Sequence, residues 1–249
     1  MNYRCVTTFT ILLIIPFLGF SQDLYPLGFY NNVINHNFYT LSYSKKHKLA
    51  EWVFYDLQSA QLIDSLKRKN NFKKDPLIKE SSASLSDYKA SGFDRGHLAP
   101  AADMKYSVSA IAESFYLSNM SPQVPGFNRG IWRKIEKKIR DWAYKYGELI
   151  IVTGPILNGT KYDVLGENKV TIPQWFYKVA IDPNNYNRNI AILIENKSSS
   201  ESISNFIISI DSLESFSGLD FFHNLPNEIE NSIEKTTHIE LWDWKYKIK

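Results

Sequence analysis

His97 and Asn128, about thirty residues apart, each sit in a stretch whose residue types could act together on a phosphodiester. His97 lies in Phe93-Asp94-Arg95-Gly96-His97-Leu98-Ala99-Pro100, and Asn128 opens Asn128-Arg129-Gly130-Ile131-Trp132-Arg133-Lys134-Ile135-Glu136. Hydrolysing such a bond needs a base for the water, a cation against developing charge, and stabilisation of the leaving oxygen. Histidine, with an unperturbed pKa near 6.5, can be that base at neutral pH. Arg95 offers a planar fork suited to phosphate, and Gly96 lets the backbone turn tightly or approach a ligand closely. The other histidines, His36, His47, His223 and His238, are not set among Asp, Arg and Gly. A lone Asp-Arg-Gly-His would count for little, because an isolated histidine is more often structural. The Asn128 stretch changes that balance.

The donor types narrow the metal chemistry. The sequence shows no two-histidine zinc spacing, no cysteine ligand set and no carboxylate cluster, which argues against zinc and two-metal sites. A hard oxygen donor such as the Asn128 amide suits Mg²⁺, which keeps most of its waters and takes few protein ligands. Gly154 and Gly166 do not build a phosphate-binding loop, and no Gly-x-Ser-x-Gly elbow supports serine hydrolase chemistry.

The elements around these residues follow from periodicity. Pro122, Pro125 and Gly126 make a turn into a helix starting near Arg129 and ended by Gly147. At ~100° per residue, Ile131, Ile135, Ile139, Trp142 and Tyr146 form its apolar stripe. Arg129, Arg133, Glu136 and Arg140 fall within roughly 60° of one another on an adjoining face. Such a face is ordinarily just solvated, but here three cations surround one carboxylate beside a candidate metal ligand, so substrate binding by Arg129 and Arg133 is expected.

Upstream, Tyr39–Ser44 and Glu51–Leu57 read as strands, rich in aromatic and β-branched residues. Lys67–Ser91 reads as a long ordered loop, Val108–Ser114 as a short helix and Phe115–Leu117 as a short buried strand. Downstream, Leu149–Thr153, Gln174–Ile181 and Asn189–Ile194 are strands, the last two pairing antiparallel around Asp182-Pro183-Asn184-Asn185. Asp211-x-x-Glu214, ending at Gly218, reads as a capped helix, and Asn227–Lys235 as a second. Trp242 and Trp244 are expected to pack the C-terminus onto the body. Runs of strands with segregated helices give an α+β fold with a central antiparallel or mixed sheet and flanking helices.

The N-terminus carries Arg4 and then the apolar run Ile11–Phe20, about ten residues and too short to span a bilayer. With small residues near Ser21 it reads as a secretory signal peptide over residues 1–21. The expected product is secreted or periplasmic, with no stable membrane association after cleavage. Cys5, the only cysteine, would leave with the signal, so the mature chain would carry no disulfide. No linker composition divides residues 22–249, which read as one domain; the chain, 44% hydrophobic over its full length, can bury a sizeable core. Losing Arg4 turns 29 basic and 26 acidic residues into 28 and 26, too mild a balance to imply a polyanion partner. Distribution says more: Lys67, Arg68, Lys69, Lys73 and Lys74 precede the central stretch, a basic helix follows it, and Glu195–Glu234 is acidic.

Three blocks arrive in a familiar order and spacing: Asp94-Arg95-Gly96-His97-Leu98-Ala99-Pro100, Leu117-Ser118-Asn119-Met120-Ser121-Pro122-Gln123, and Phe127-Asn128-Arg129-Gly130-Ile131-Trp132 with Glu136. With Val152-Thr153-Gly154-Pro155 and Ile172-Pro173, they make the sequence resemble the DNA/RNA non-specific endonuclease family from about Tyr39 to about Phe222. The resemblance implies a ββα-metal (His-Me finger) fold and one Mg²⁺, replaceable by Mn²⁺, held by Asn128 plus waters. It implies that His97 is the general base, that Glu136 holds a water on the metal, and that Arg95 and Arg140 bind phosphate. Asn119 would support the site by orienting His97 or phosphate, and Asp94 would be a structural hydrogen-bonding residue. Arg68, with Lys73 competing, would be the upstream phosphate contact. DNA and RNA would be the substrates, 5′-phosphate ends the products, and a homodimer the state many members adopt. Two other classes stay open on the sequence: a phosphodiesterase of small nucleotides or oligonucleotides, and a non-catalytic nucleic-acid-binding protein on the same fold.

Overall fold

The structure, a computed structural model, describes residues 24–29, 32–63, 66–67 and 70–248. The expected signal segment and Arg68 lie outside the described residues. In chain order the first strands are β1 (Val33–Asn35), β2 (Thr40–Ser44), β3 (Leu49–Gln58), β4 (Asp94–His97) and β5 (Met120–Gln123). They are followed by β6 (Glu148–Pro155), β7 (Val164–Leu165), β8 (Val170–Thr171), β9 (Trp175–Asp182), β10 (Asn185–Glu195) and β11 (Ile207–Ile208). The helices are α1 (Leu85–Tyr88), α2 (Val108–Ser114), α3 (Arg133–Tyr146), α4 (Ile210–Ser217) and α5 (Asn227–Lys235).

Seven strands form one antiparallel sheet in the order β1-β2-β3-β6-β9-β10-β11. Its central strands are apolar on both faces, so successive side chains feed two cores. On β3, Val53, Tyr55 and Leu57 pack on one side, and Trp52 and Phe54 on the other; on β6, Leu149 and Ile151 oppose Ile150 and Val152. The first core is closed by Ile131, Ile135, Ile139 and Trp142 of the predicted stripe, with Tyr146 partly buried against it and Trp132, outside the predicted stripe, packed beside them. The second is closed by Leu213 of α4 and Ile233 of α5 with Phe221 and Phe222. Trp242 and Trp244 lie 4.5 and 4.9 Å from the Trp142 ring, fastening the C-terminus behind α3 as expected.

Three local expectations are corrected. No strand forms at Phe115–Leu117: Tyr116 makes only an isolated parallel bridge to Lys73, and the chain turns at Leu117–Asn119 before β5. Asn119 holds that turn by bonding the backbone of Ala99 and Ser114. The helix near Arg129 begins as a wide turn over Phe127–Trp132, with Gly130 at φ −101° and ψ −109°, and is regular only from Arg133. Wide turns of this kind are common at functional sites. The cap of α4 is Ser209, whose hydroxyl accepts the Ser212 N–H, and Asp211 stands within the first turn.

Candidate active site

His97 ends β4, a short strand paired antiparallel with β5 so that Arg95 faces Pro122, Gly96 faces Ser121 and His97 faces Met120. Gly96 is required there by close approach: a Cβ would stand 2.0 Å from the Gln123 amide oxygen. Beyond β5 the wide turn carries Asn128, and α3 then presents Arg133, Glu136 and Arg140 on successive turns. These elements converge on a cleft of about 340 Å³ lined by Arg95, His97, Asn128, Arg129, Arg133, Glu136 and Arg140. A second cleft of about 470 Å³ shares Arg95, Asn128 and Arg129 and extends to Asn70 and Phe72.

The base candidate is held by its surroundings. The His97 ring is buried, 4.9 Å edge-on from Phe115 and 5.8 Å from Phe72. The Arg95 guanidinium lies 4.2 Å from the Phe72 centroid, a cation–π contact, and Arg95 lines the cleft. Asn119 is fully buried just behind. Its amide nitrogen donates to the carbonyls of Ala99 (2.9 Å) and Ser114 (2.8 Å), and its oxygen accepts the Ala99 N–H at 2.9 Å. With its backbone carbonyl also accepting the Leu98 N–H, Asn119 braces the loop that follows His97 and does not line the cleft.

Asp94 organises the other side. Its Oδ2 accepts from Asn128 Nδ2 at 2.8 Å, and its carboxylate is clamped by Arg129 through Nε (2.8 Å) and Nη2 (2.6 Å). Burial alone would raise the Asp94 carboxyl, but the hydrogen bonds from Arg129 and Asn128 hold it below the usual carboxylate range. A carboxylate only accepts, so the Asn128 amide must face it with nitrogen, leaving the lone pairs of Oδ1 free to accept or to ligate. Arg140 is mostly buried and ion-paired with Asp103 at 2.7 Å; Asp103 also accepts the Tyr55 hydroxyl at 2.8 Å. Burial would lower the guanidinium's pKa, but Asp103 and Glu136 outweigh it and keep Arg140 above its ordinary value.

Seven of the candidate residues therefore meet in one cleft, Asn119 stands behind it, and Arg68 falls outside the described residues. Lys73, its competitor, places its ammonium 5.0 Å from the Tyr116 ring and lines neither cleft. Sequence reasoning missed Asp103, which lies in no motif, and Lys178, a buried lysine on β9. Lys178 donates to the Leu98 carbonyl and lies 5.0 Å from the Trp132 ring. Burial pulls its ammonium down to about 8, against the opposing pull of Glu136 and Asp103. It also missed a carboxylate cluster: Glu234 of α5 comes together with Asp211 and Glu214 of α4, about twenty residues earlier in the chain.

The family model described as DNA/RNA non-specific endonuclease matches residues 19–228. The chain belongs to that family. It is 37% identical to Nuclease C1 of Cunninghamella echinulata var. echinulata over 205 residues, covering 75% of this chain and 81% of that one. It is 38% identical to mitochondrial endonuclease G of Caenorhabditis elegans over 230 residues, covering 83% and 74%. Among solved structures, the endonuclease G chain described in complex with EndoGI superposes with a TM-score of 0.75 at 32% identity, covering 84% of this chain and 91% of that one. The protein is thus an endonuclease with the ββα-metal fold, its ββα unit being β4, β5 and α3 with the turn that enters it.

Proposed function

We propose that this endonuclease hydrolyses the phosphodiester bonds of both DNA and RNA with a single Mg²⁺, for which Mn²⁺ can substitute. The observation that carries the reading is the meeting of His97, Asn128 and Glu136 with Arg95 and Arg140 in one cleft. The donors fit a hard dication: Asn128 has its amide nitrogen engaged by Asp94 and its oxygen left to coordinate, and Glu136 is the only carboxylate among the cleft's lining residues. Mg²⁺ would be held by Asn128 with Glu136 in support, and when bound it offsets charge on the phosphate and on the leaving oxygen.

The chain's own residues do the rest. His97, in its neutral form, takes the proton of the attacking water as its oxygen bonds to phosphorus, and the bond to the leaving oxygen breaks on the opposite side. Phe72 and Phe115 limit the ways its ring can turn. Arg140, already fixed by Asp103, and Arg95, resting on Phe72, hold the non-bridging oxygens and stabilise the charge that builds there. Arg129 and Arg133 at the rim take flanking phosphates. Contacts of this kind read the backbone and not the bases, so affinity falls steeply with salt and depends little on sequence. The products carry 5′-phosphate ends. We further infer export by the N-terminal apolar segment to a secreted or periplasmic location, with residues 22–249 acting as one domain, and assembly as a homodimer.

Agarose-gel digestion of supercoiled plasmid and of total RNA tests this, with Mg²⁺, with EDTA, and with His97→Ala. Both substrates should disappear with Mg²⁺ alone. Near-native cleavage by His97→Ala would remove His97 from the role of base, and cleavage unaffected by EDTA would remove the metal.

A further inference from the structure

The sheet face opposite α3 carries a second set of potential ligands that the cleavage chemistry does not use. There α4 and α5 pack through Leu213 and Ile233 against Phe221 and Phe222, and this packing brings acidic side chains together. Asp211, Glu214 and Glu234 each present a carboxylate oxygen, all within 4.8 Å of one another. Asp220 and Glu230 add their fields. Among the described residues, none of the three cluster residues forms an ion pair.

The independent pointer is Glu234. It is only 6% exposed, and its Oε1 is fully buried with no hydrogen-bond partner among the described residues, although it stands beside two other carboxylates. A buried polar atom ordinarily has a partner, because leaving it without one costs the desolvation of that group. Glu214 differs: its Oε1 accepts the Phe221 N–H at 2.6 Å, which fixes its carboxylate while leaving its charge unmatched. Burial and the neighbouring carboxylates push Glu214 up to about 7 and Glu234 up to about 8. Three carboxylates thus meet without an ion pair among the described residues, and one oxygen of Glu234 is left without a partner.

We propose that Asp211, Glu214 and Glu234 form a structural site for one divalent cation of the Ca²⁺ type, joining α5 to α4. Ca²⁺ takes six to eight oxygen ligands at about 2.3–2.6 Å, so ligand oxygens up to about 5 Å apart can share one ion. Mg²⁺ demands a tighter octahedron at about 2.0–2.1 Å, and zinc prefers nitrogen and sulfur. Asp211 and Glu214 are only partly buried, which leaves room for water to complete the shell. Glu234 lies beyond residues 19–228 matched by the family model, so the site joins a helix of the family region to one that runs past its end.

Calcium titration of the full chain, followed by thermal unfolding and by calorimetry in chelator-treated buffer, tests the site. Ca²⁺ at about 100 times its Kd should raise Tm by roughly 5–11 °C, with one ion bound per chain. The rise should vanish in Glu234→Gln and in Asp211→Asn/Glu214→Gln, and persist in Asn128→Ala, where the cleft lacks its proposed ligand. Circular dichroism of Glu234→Gln verifies its fold, and the double variant gives a second route to the same result. No saturable binding would overturn the proposal and leave protons as the neutralising species. A rise retained in both variants would place the ion elsewhere, and an equal, variant-sensitive rise with Mg²⁺ would overturn the Ca²⁺ assignment.

Discussion

Asp94 Oδ2 and Asn128 Nδ2 stand 2.8 Å apart, across a contact that only one orientation of the amide can make. The bond decides which Asn128 atom meets the cleft, and Arg129 in turn fixes Asp94. Outer partners of this kind typically account for about 10–100-fold in metal affinity. Asp94→Ala should therefore raise the Mg²⁺ concentration for half-maximal cleavage by about that factor, with most of the rate recovered at saturating metal. A Mg²⁺ titration of plasmid cleavage measures it. An unchanged half-saturation point would separate Asp94 from the metal.

His97 and Asn119 are neighbours with opposite signatures. Asn119 is fully buried and makes three side-chain hydrogen bonds to backbone at Ala99 and Ser114. Cutting it to Ala strands those groups, at about 1–3 kcal/mol for each buried group left unsatisfied. Asn119→Ala should lose about 3 kcal/mol of stability in urea unfolding along with activity. His97→Ala should abolish cleavage with little loss of stability. Equal stability losses in the two variants would contradict this division of roles.

Arg140 owes its fixed position to Asp103, a pair whose side chains are 16% and 2% exposed. Removing one member of a buried pair leaves the other charge uncompensated, typically at about 3–5 kcal/mol. Asp103→Leu should cost about that much stability and also release the Tyr55 hydroxyl from its acceptor. In Asp103→Leu/Arg140→Met, most of the stability should return while cleavage stays lost. Urea unfolding beside a single-turnover assay distinguishes the two effects. If the double variant stays as unstable as the single one, the unpaired charge is not the cause.

The stripe leading into and along α3 was legible in Ile131, Ile135, Ile139 and Trp142 because its spacing is helical, and the short helix expected at Val108–Ser114 forms as α2. Strand β4 was not, because Asp94-Arg95-Gly96-His97 has no apolar alternation and is a strand only through its pairing with β5. His97, Asn128 and Glu136 could be picked out by residue type and order. Asp103 and Lys178 could not, since their relation to Arg140 and Glu136 exists only once β9 and α3 stack on the same core. Glu234 was invisible for the same reason: its neighbours Asp211 and Glu214 lie about twenty residues away along the chain.

Lys178 offers the last test, through pH. Its ammonium is buried on β9, donating to the Leu98 carbonyl beside His97, with a pKa lowered by burial to about 8 from the ordinary 10.5. Below about pH 8 both folded and unfolded chains carry the proton, and the cost of burying the charge is present in full. Between about 8 and 10.5 the unfolded chain holds the proton and the folded chain has released it, so the contribution of Lys178 to stability rises with pH. Lys178→Met removes that dependence. Its stability relative to the parent should be greatest near pH 7 and should decline towards pH 10, in urea unfolding at the two pH values. The variant also loses the bond to Leu98 and the positive field on Glu136, so its cleavage should be slower even where it is more stable. A stability difference that stays constant from pH 7 to pH 10 would show that the ammonium keeps its proton throughout, paired more tightly with Glu136 and Asp103 than its burial implies.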